Sequence, residues 1–279
     1  MRKIFTLLSL AAALSAPVAG AAPTLSFSGS GTQADPYLIK TKADLVELSK
    51  ATSTDEISQM GNVSAFKGVY FKLANDINLE NTAEFKGICT TSNTTVAKSI
   101  NFQGVFDGDG HTISGMSLEG VVWTVRPTEN TLGTPNAQTS RTGTGFIGQL
   151  GAGGQIKNLN IAGDCRISGY KETGAVVGSA AAGSKIENCR NYATVTGYSV
   201  RVGGVVGYVA NGEVVSCFNA GNVTGGDSSV GGIGGHILGK ISYCANTGDV
   251  AIKGITTAKP EGAHRSWAAA ASPAGQTWM

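Results

Sequence analysis

Residues 174–197 read GAVVGSAAAGSKIENCRNYATVTG, and the chain returns to the same pattern at 203–225, GGVVGYVANGEVVSCFNAGNVTG, and at 231–254, GGIGGHILGKISYCANTGDVAIKG. A more divergent copy, TGFIGQLGAGGQIKNLNIAGDCRISG, occupies 144–169. The glycines that close each opening motif are Gly148, Gly178, Gly207 and Gly235, at spacings of 30, 29 and 28 residues. A repeat of that length signals a solenoid or an array. Inside one copy the apolar period is two, β-branched residues dominate, and Gly and Asn interrupt every few positions, so the copy reads as short strands joined by tight turns. No amphipathic run is long enough for a helix within it. About three strands and three turns fill the length, which is one coil of a parallel β-helix. No coil can bury its inner face alone, so stacking supplies the core.

The alignment assigns directions. Leu159, Cys189, Cys217 and Cys244 share one inward column, and Ile156, Ile186, Val214 and Ile241 share another. Cys165 is placed with Val195, Val223 and Val250. In these columns cysteine stands for Leu or Val as a small hydrophobe, and the odd total of five argues against a disulfide framework. Asn191, Asn219 and Asn246 form a polar column, expected to be an amide ladder that steadies a turn.

GFIG, AVVG, GVVG and GIGG, each followed by an xIxNCxNxGxV-like run, resemble the GLUG repeats of bacterial surface proteins of the Bacteroidetes type. GSGTQADPYLIKTKADLVELSK (29–50), YFKLANDINL (70–79) and FQGVFDGDGHTISGMSL (102–118) resemble the opening of such chains. The resemblance spans about residues 27–254 and implies an all-β, right-handed parallel β-helix at the cell surface. GLUG repeats also accompany immunoglobulin-A-cleaving metallopeptidases, but this chain contains no H-E-x-x-H, so the resemblance brings no catalytic residues.

Four segments are expected. Residues 1–22, with Arg2, Lys3 and an apolar run from Ile4 to Leu14, form a secretory signal peptide. Residues 23–143 hold a cap and early coils, residues 144–254 the repeats, and residues 255–279 an alanine-rich tail expected to be poorly ordered or truncated. Thr41 is a candidate N-cap for a short capping helix carrying Leu45 and Leu48 on one side. No segment reaches the roughly 18 apolar residues of a membrane span. A net charge of +2 gives no electrostatic reason to expect nucleic acid.

Chemistry is sparse. In GVFDGDGHTISG (104–115), Asp107, Asp109 and His111 alternate. The reading preferred is a turn in which Phe106 and Ile113 point inward and Gly108 and Gly110 supply positive φ. A calcium site at Asp107 and Asp109 is the weak alternative; an EF-hand loop fails, because Thr112 and Leu118 stand where Gly and Glu are needed. No cofactor is expected. The three histidines lack zinc-like spacing, and no G-x-S-x-G, P-loop or dinucleotide fingerprint occurs. Two insertions, 80–101 and 119–143, exceed coil length, and binding function favours such excursions. Trp123, Arg126 and Arg141 are the ligand-binding candidates; a plain extra strand at 121–125 is the alternative. The expectation is a non-enzymatic adhesin or binder of extracellular glycan or of host or matrix protein, with self-association through an open C-terminal coil. The rival is a carbohydrate-active β-helix enzyme or the accessory part of a surface peptidase.

Overall fold

The computed structural model describes residues 25–52, 63–90, 100–121, 123–125, 134–135 and 142–253. These wind into a parallel β-helix whose walls are sheets of seven, six, six, five and four strands. One coil runs through Lys171–Gly174, Val177–Ala180, Lys185–Glu187, Arg190–Asn191 and Thr194–Gly197 before Val202–Gly203 opens the next. Each strand pairs in parallel with its counterpart one coil on: Val177 with Val206, Ile186 with Val214, Asn191 with Asn219, Val195 with Val223.

A coil therefore contains five strands of two to four residues, not the three expected. The extra corners come from residues in the left-handed region. Asn158, Asn188, Ser216 and Tyr243 stack at one corner with φ of 49–55°, and Glu172, Arg201 and Ser229 at another with φ of 56–67°. Asparagine tolerates this conformation; Glu172, Arg201 and Ser216 are each tied to the next coil by a backbone bond, from their N–H groups to the carbonyls of Val200, Ser228 and Ser242.

The core follows the columns. Phe71, Phe106, Ile156, Ile186, Val214 and Ile241 lie in register along the seven-stranded wall. The early coils are filled by aromatic rings, with Phe66 and Phe106 each packed edge-on, 5.0 Å from Phe71 and Phe146 respectively. The later coils use Val, Ile, Ala and Cys. Each large apolar side chain fully buried this way contributes roughly 1.5–3 kcal/mol.

Leu159, Cys189, Cys217 and Cys244 are all buried, and all five cysteines are free thiols. One placement is corrected. Ile167, not Cys165, is in register with Val195. Cys165 sits two positions earlier, at a corner, where its sulfur accepts the Met116 N–H at 3.3 Å. The turn before it is two residues longer than its counterpart, with Ile161 to Ile167 standing opposite Asn191 to Val195, and this shifts the count. Cys89, outside the repeats, is also core, and its N–H donates to Thr52 Oγ1 at 3.0 Å.

Helix α1, Lys42–Thr52, covers the first coil. Thr41 Oγ1 accepts the Asp44 N–H at 3.3 Å while Asp44 accepts the Thr41 N–H at 2.9 Å, a reciprocal cap. Leu45 and Leu48 are fully buried beneath it. Within the second insertion Trp123–Val125 pairs antiparallel with Thr134–Pro135, so this strand forms a hairpin and does not join the parallel coil sheets. The expected signal peptide lies outside the described residues, as does the tail from 254 onward.

Candidate functional site

The seven-stranded wall turns two columns of side chains outward. One is Leu38, Lys72, Asp107, Lys157 and Glu187, in register on successive coils. The other is Tyr70, Val105, Gln155, Lys185, Glu213 and Lys240. These directions follow from strand alternation once Phe71, Phe106 and Ile156 are fixed inward. Successive coils are spaced by about 4.8 Å, so charge alternates in sign from coil to coil along the axis.

At its N-terminal end this strip is walled by the loop 33–36. Asp35 closes that loop: its carbonyl accepts the N–H groups of Ser30 and Thr32 at 3.1 and 3.2 Å, and its own N–H donates to Thr32 Oγ1 at 3.2 Å. Between loop and sheet lies a groove of about 540 Å³, lined among others by Gln33, Asp35, Tyr70, Lys72, Asp107 and Lys157. That size suits a small ligand or a few units of a chain.

Both lysines in the groove are paired. Lys157 Nζ is 3.1 Å from Asp107 Oδ2, and Lys72 Nζ is 2.9 Å from Asp109 Oδ2. Asp107 Oδ1 accepts two further bonds at 2.9 Å, from Asn158 Nδ2 and from the Asp109 N–H. Partial burial pushes the Asp107 carboxyl up, but Asn158, the Asp109 N–H and Lys157 together outweigh it and hold it below the usual carboxylate range. Lys72 is held above its ordinary value by its bond to Asp109, against some loss to burial.

The turn that carries these aspartates is two residues longer than its counterpart one coil on. Asp107 pairs with Lys157 and Thr112 with Asn160, so residues 108–111 stand opposite Asn158 and Leu159 alone. The positive φ falls on Asp109 (51°) and Gly110 (83°), not on Gly108 as expected. Gly108 is needed for a different reason: a Cβ there would lie 2.4 Å from the Asn158 carbonyl oxygen.

The alternating cluster therefore comes apart. Asp107 faces Lys157, Asp109 faces Lys72, and His111 Nδ1 lies 3.0 Å from Asp76 Oδ1, which also accepts the Thr112 N–H at 2.9 Å. Asp107 and Asp109, the calcium candidates, have their carboxylates occupied by ammonium groups and amides. Among the described residues no three His, Cys, Asp or Glu side chains converge on a point that could hold a metal ion. Trp123 lies in the hairpin strand, with its backbone alone described, and Arg126 and Arg141 lie outside the described residues.

Tyr70, Lys72 and Lys157 were missed from sequence. Their signal was present: YFK at 70–72, VFD at 105–107 and QIK at 155–157 are one motif, an inward residue followed by an outward charge. It becomes visible only when the pre-repeat coils are aligned with the repeats.

A second polar cluster lies on another wall. Arg201 Nη1 is 2.5 Å from Glu172 Oε1, and its guanidinium sits 4.2 Å over the Tyr208 ring, whose neighbour in register is His236. The ion pair and the ring contact already engage the guanidinium.

No protein-family model matches the chain. Among curated proteins it is 28% identical over 195 residues to Halomucin of Haloquadratum walsbyi, a match covering 68% of this chain and 2% of that one. The chain thus spans a small fraction of its far longer relative. Among solved structures it is similar to a Bacteroides ovatus protein provisionally designated an immunoglobulin A1 protease, at 18% identity and a TM-score of 0.40, over 85% of this chain and 83% of the other. A superposition that loose carries no argument about activity.

Proposed function

We propose that the chain is an exported, cell-surface β-solenoid that binds glycan or protein and performs no catalysis. The observation that carries this reading is the charge pairing in the groove. A two-carboxylate glycosidase needs an acid and a base or nucleophile facing one another across the scissile bond. Here Asp107 and Asp109 each face a lysine instead, so the groove offers alternating donors and acceptors beside the Tyr70 ring. That is the chemistry of recognition. The signal-peptide pattern at 1–22, the GLUG-like repeats and the likeness to a segment of a protein named as a mucin support the surface location.

The test is a glycan array probed with the mature chain, run beside an activity screen on plant and host polysaccharides. Saturable binding without new reducing ends is expected. Turnover that disappears in Asp107→Asn would overturn the reading in favour of an enzyme.

Self-association belongs to the same proposal. Among the described residues, strands Gly234–Ile237, Lys240–Ser242, Ala245–Asn246 and Val250–Ile252 each stand last in their sheets, and Leu238 and Tyr243 beside them are 58% and 80% exposed. An unpaired sheet edge templates further pairing. Sedimentation should show concentration-dependent association; a strictly monomeric profile would sink this part.

A further inference from the structure

We infer that the groove between loop 33–36 and the seven-stranded wall takes a neutral, hydroxyl-rich saccharide laid along the solenoid axis, and that it discriminates against anionic polysaccharides. This rests on the binding function proposed above and narrows it to one site and one ligand class.

The floor of the groove alternates Lys72, Asp107 and Lys157 on successive coils. An ammonium group donates and a carboxylate accepts, so a chain of hydroxyls running along the axis meets a donor and an acceptor in turn. A hydroxyl does both and can join either member of an ion pair without displacing the other. Beside this floor runs the second column, with Tyr70 and Val105 half-buried and facing out. Together they form an apolar lane for the C–H face of a sugar ring, next to a polar lane for its hydroxyls. Aromatic side chains suit such amphipathic ligands, having a broad apolar face and a polar tip.

Charge sets the class. Asp35, Asp107 and Asp109 oppose Lys72 and Lys157 at the groove, which leaves one net negative charge. Both lysines are already neutralised within about 3.1 Å. A uronate or sulfate would have to break one of those pairs and would face the carboxylate left behind. A neutral sugar has neither cost. The walls fit an extended ligand better than a compact one, because the column continues past the groove through Glu187, itself paired with Lys185 at 2.9 Å.

The experiment is titration of the mature protein with neutral hexasaccharides (cello-, manno- and xylohexaose) and with hexagalacturonate at low salt. One neutral probe should bind at least about tenfold more tightly than the uronate. Tyr70→Ala should weaken that binding by about tenfold or more with the melting temperature nearly unchanged, whereas Tyr192→Ala, on a different wall, should not. Asp35 is exposed and its side chain closes no described bond, so Asp35→Lys should keep the fold and turn the net charge positive. It should narrow or reverse the preference. Tighter binding of the uronate by the unaltered protein would overturn the inference while leaving glycan binding intact. So would neutral-sugar binding that ignores Tyr70→Ala. Failure to bind any glycan, with capture of a protein ligand instead, would overturn the inference alone. Failure to bind either would remove the proposed function with it.

Discussion

The side-chain amide of Asn191 donates to Oδ1 of Asn219 at 2.7 Å, and Asn219 donates to Oδ1 of Asn246 at the same distance. Each also donates to a carbonyl two residues on, Ala193, Gly221 and Gly248 in turn. The same column in earlier coils holds Ile77, Ile113 and Ile161. The wall thus changes from apolar to amide filling without changing register. Asn191 and Asn219 are fully buried, so the ladder is a closed network.

Removing its middle rung leaves buried donors and acceptors unpaired on both sides. Asn219→Ala should therefore cost about 2–4 kcal/mol, read as a lower urea midpoint. Replacing Asn191, Asn219 and Asn246 together by Ile should cost less than three times that amount, because no side-chain amide is stranded. A loss under 0.5 kcal/mol for Asn219→Ala would sink the ladder as a stabilising device.

Thr144 and Thr173 point the other way. They stand in register on the four-stranded wall, followed in the same column by Val202 and Val230. Both hydroxyls are buried with no hydrogen-bond partner among the described residues. They pack against glycines, since a Cβ on Gly169 would lie 2.2 Å from Thr173 Oγ1 and one on Gly120 2.3 Å from Thr144 Oγ1. Thr173→Val should stabilise by about 1 kcal/mol, and Gly169→Ala should destabilise by more than that. Thermal melts of the two variants decide it; a Thr173→Val variant that melts lower would mean the hydroxyl has a partner.

The fold was legible because repetition exposes register. Columns such as Ile156, Ile186, Val214 and Ile241 need only alignment of like with like. The five-strand coil was not legible, because its corners use Glu172, Arg201, Ser216 and Tyr243 in the left-handed region, where sequence gives no hint. The shift of Cys165 comes from a corner two residues longer than its counterpart, which alignment reads as strand. The groove was half legible. Asp107 stood out beside its glycines, but its partner Lys157 is fifty residues away and meets it only through coil stacking. Long-range pairing of that kind leaves no local mark.

Acid should loosen the N-terminal coils first. The Asp107 carboxyl is held below its usual range on balance, and that of Asp76 by the Thr112 N–H and then by His111. A carboxyl depressed in the folded state adds stability that is present above its unfolded value, near pH 4, and is lost as pH falls through its folded value. Asp76 is largely exposed, so solvent screening leaves it a small share. The melting temperature should fall between pH 5 and pH 2.5, and Asp107→Asn should flatten that fall while lowering stability at pH 7. An identical acid profile in the variant would show that Asp107 is not the group titrating.

Five buried free thiols in a chain read as exported make the last prediction a chemical one. Burial raises the Cys89 thiol well above its ordinary value and pushes that of Cys165 up to about 11. In the stack, a side-chain hydrogen bond with Cys189 leads in raising Cys217, and one with Cys217 leads in raising Cys244, with burial adding to both. The thiolate is the reactive form, so at pH 8 the folded protein should resist alkylation and disulfide exchange, while five thiols should titrate in guanidinium. Resistance should be weakest at Cys244, in the last described coil, where the inward residues Ile241 and Val250 are only half-buried. Opening that end needs fewer broken pairings than opening the middle. Mass spectrometry after timed exposure to iodoacetamide should find Cys244 labelled before Cys217, and Cys217 before Cys89. Early labelling of Cys89 would mean that α1 detaches more readily than the C-terminal coil frays. A recovered Cys189–Cys217 disulfide would mean that the stacked column is not the resting arrangement.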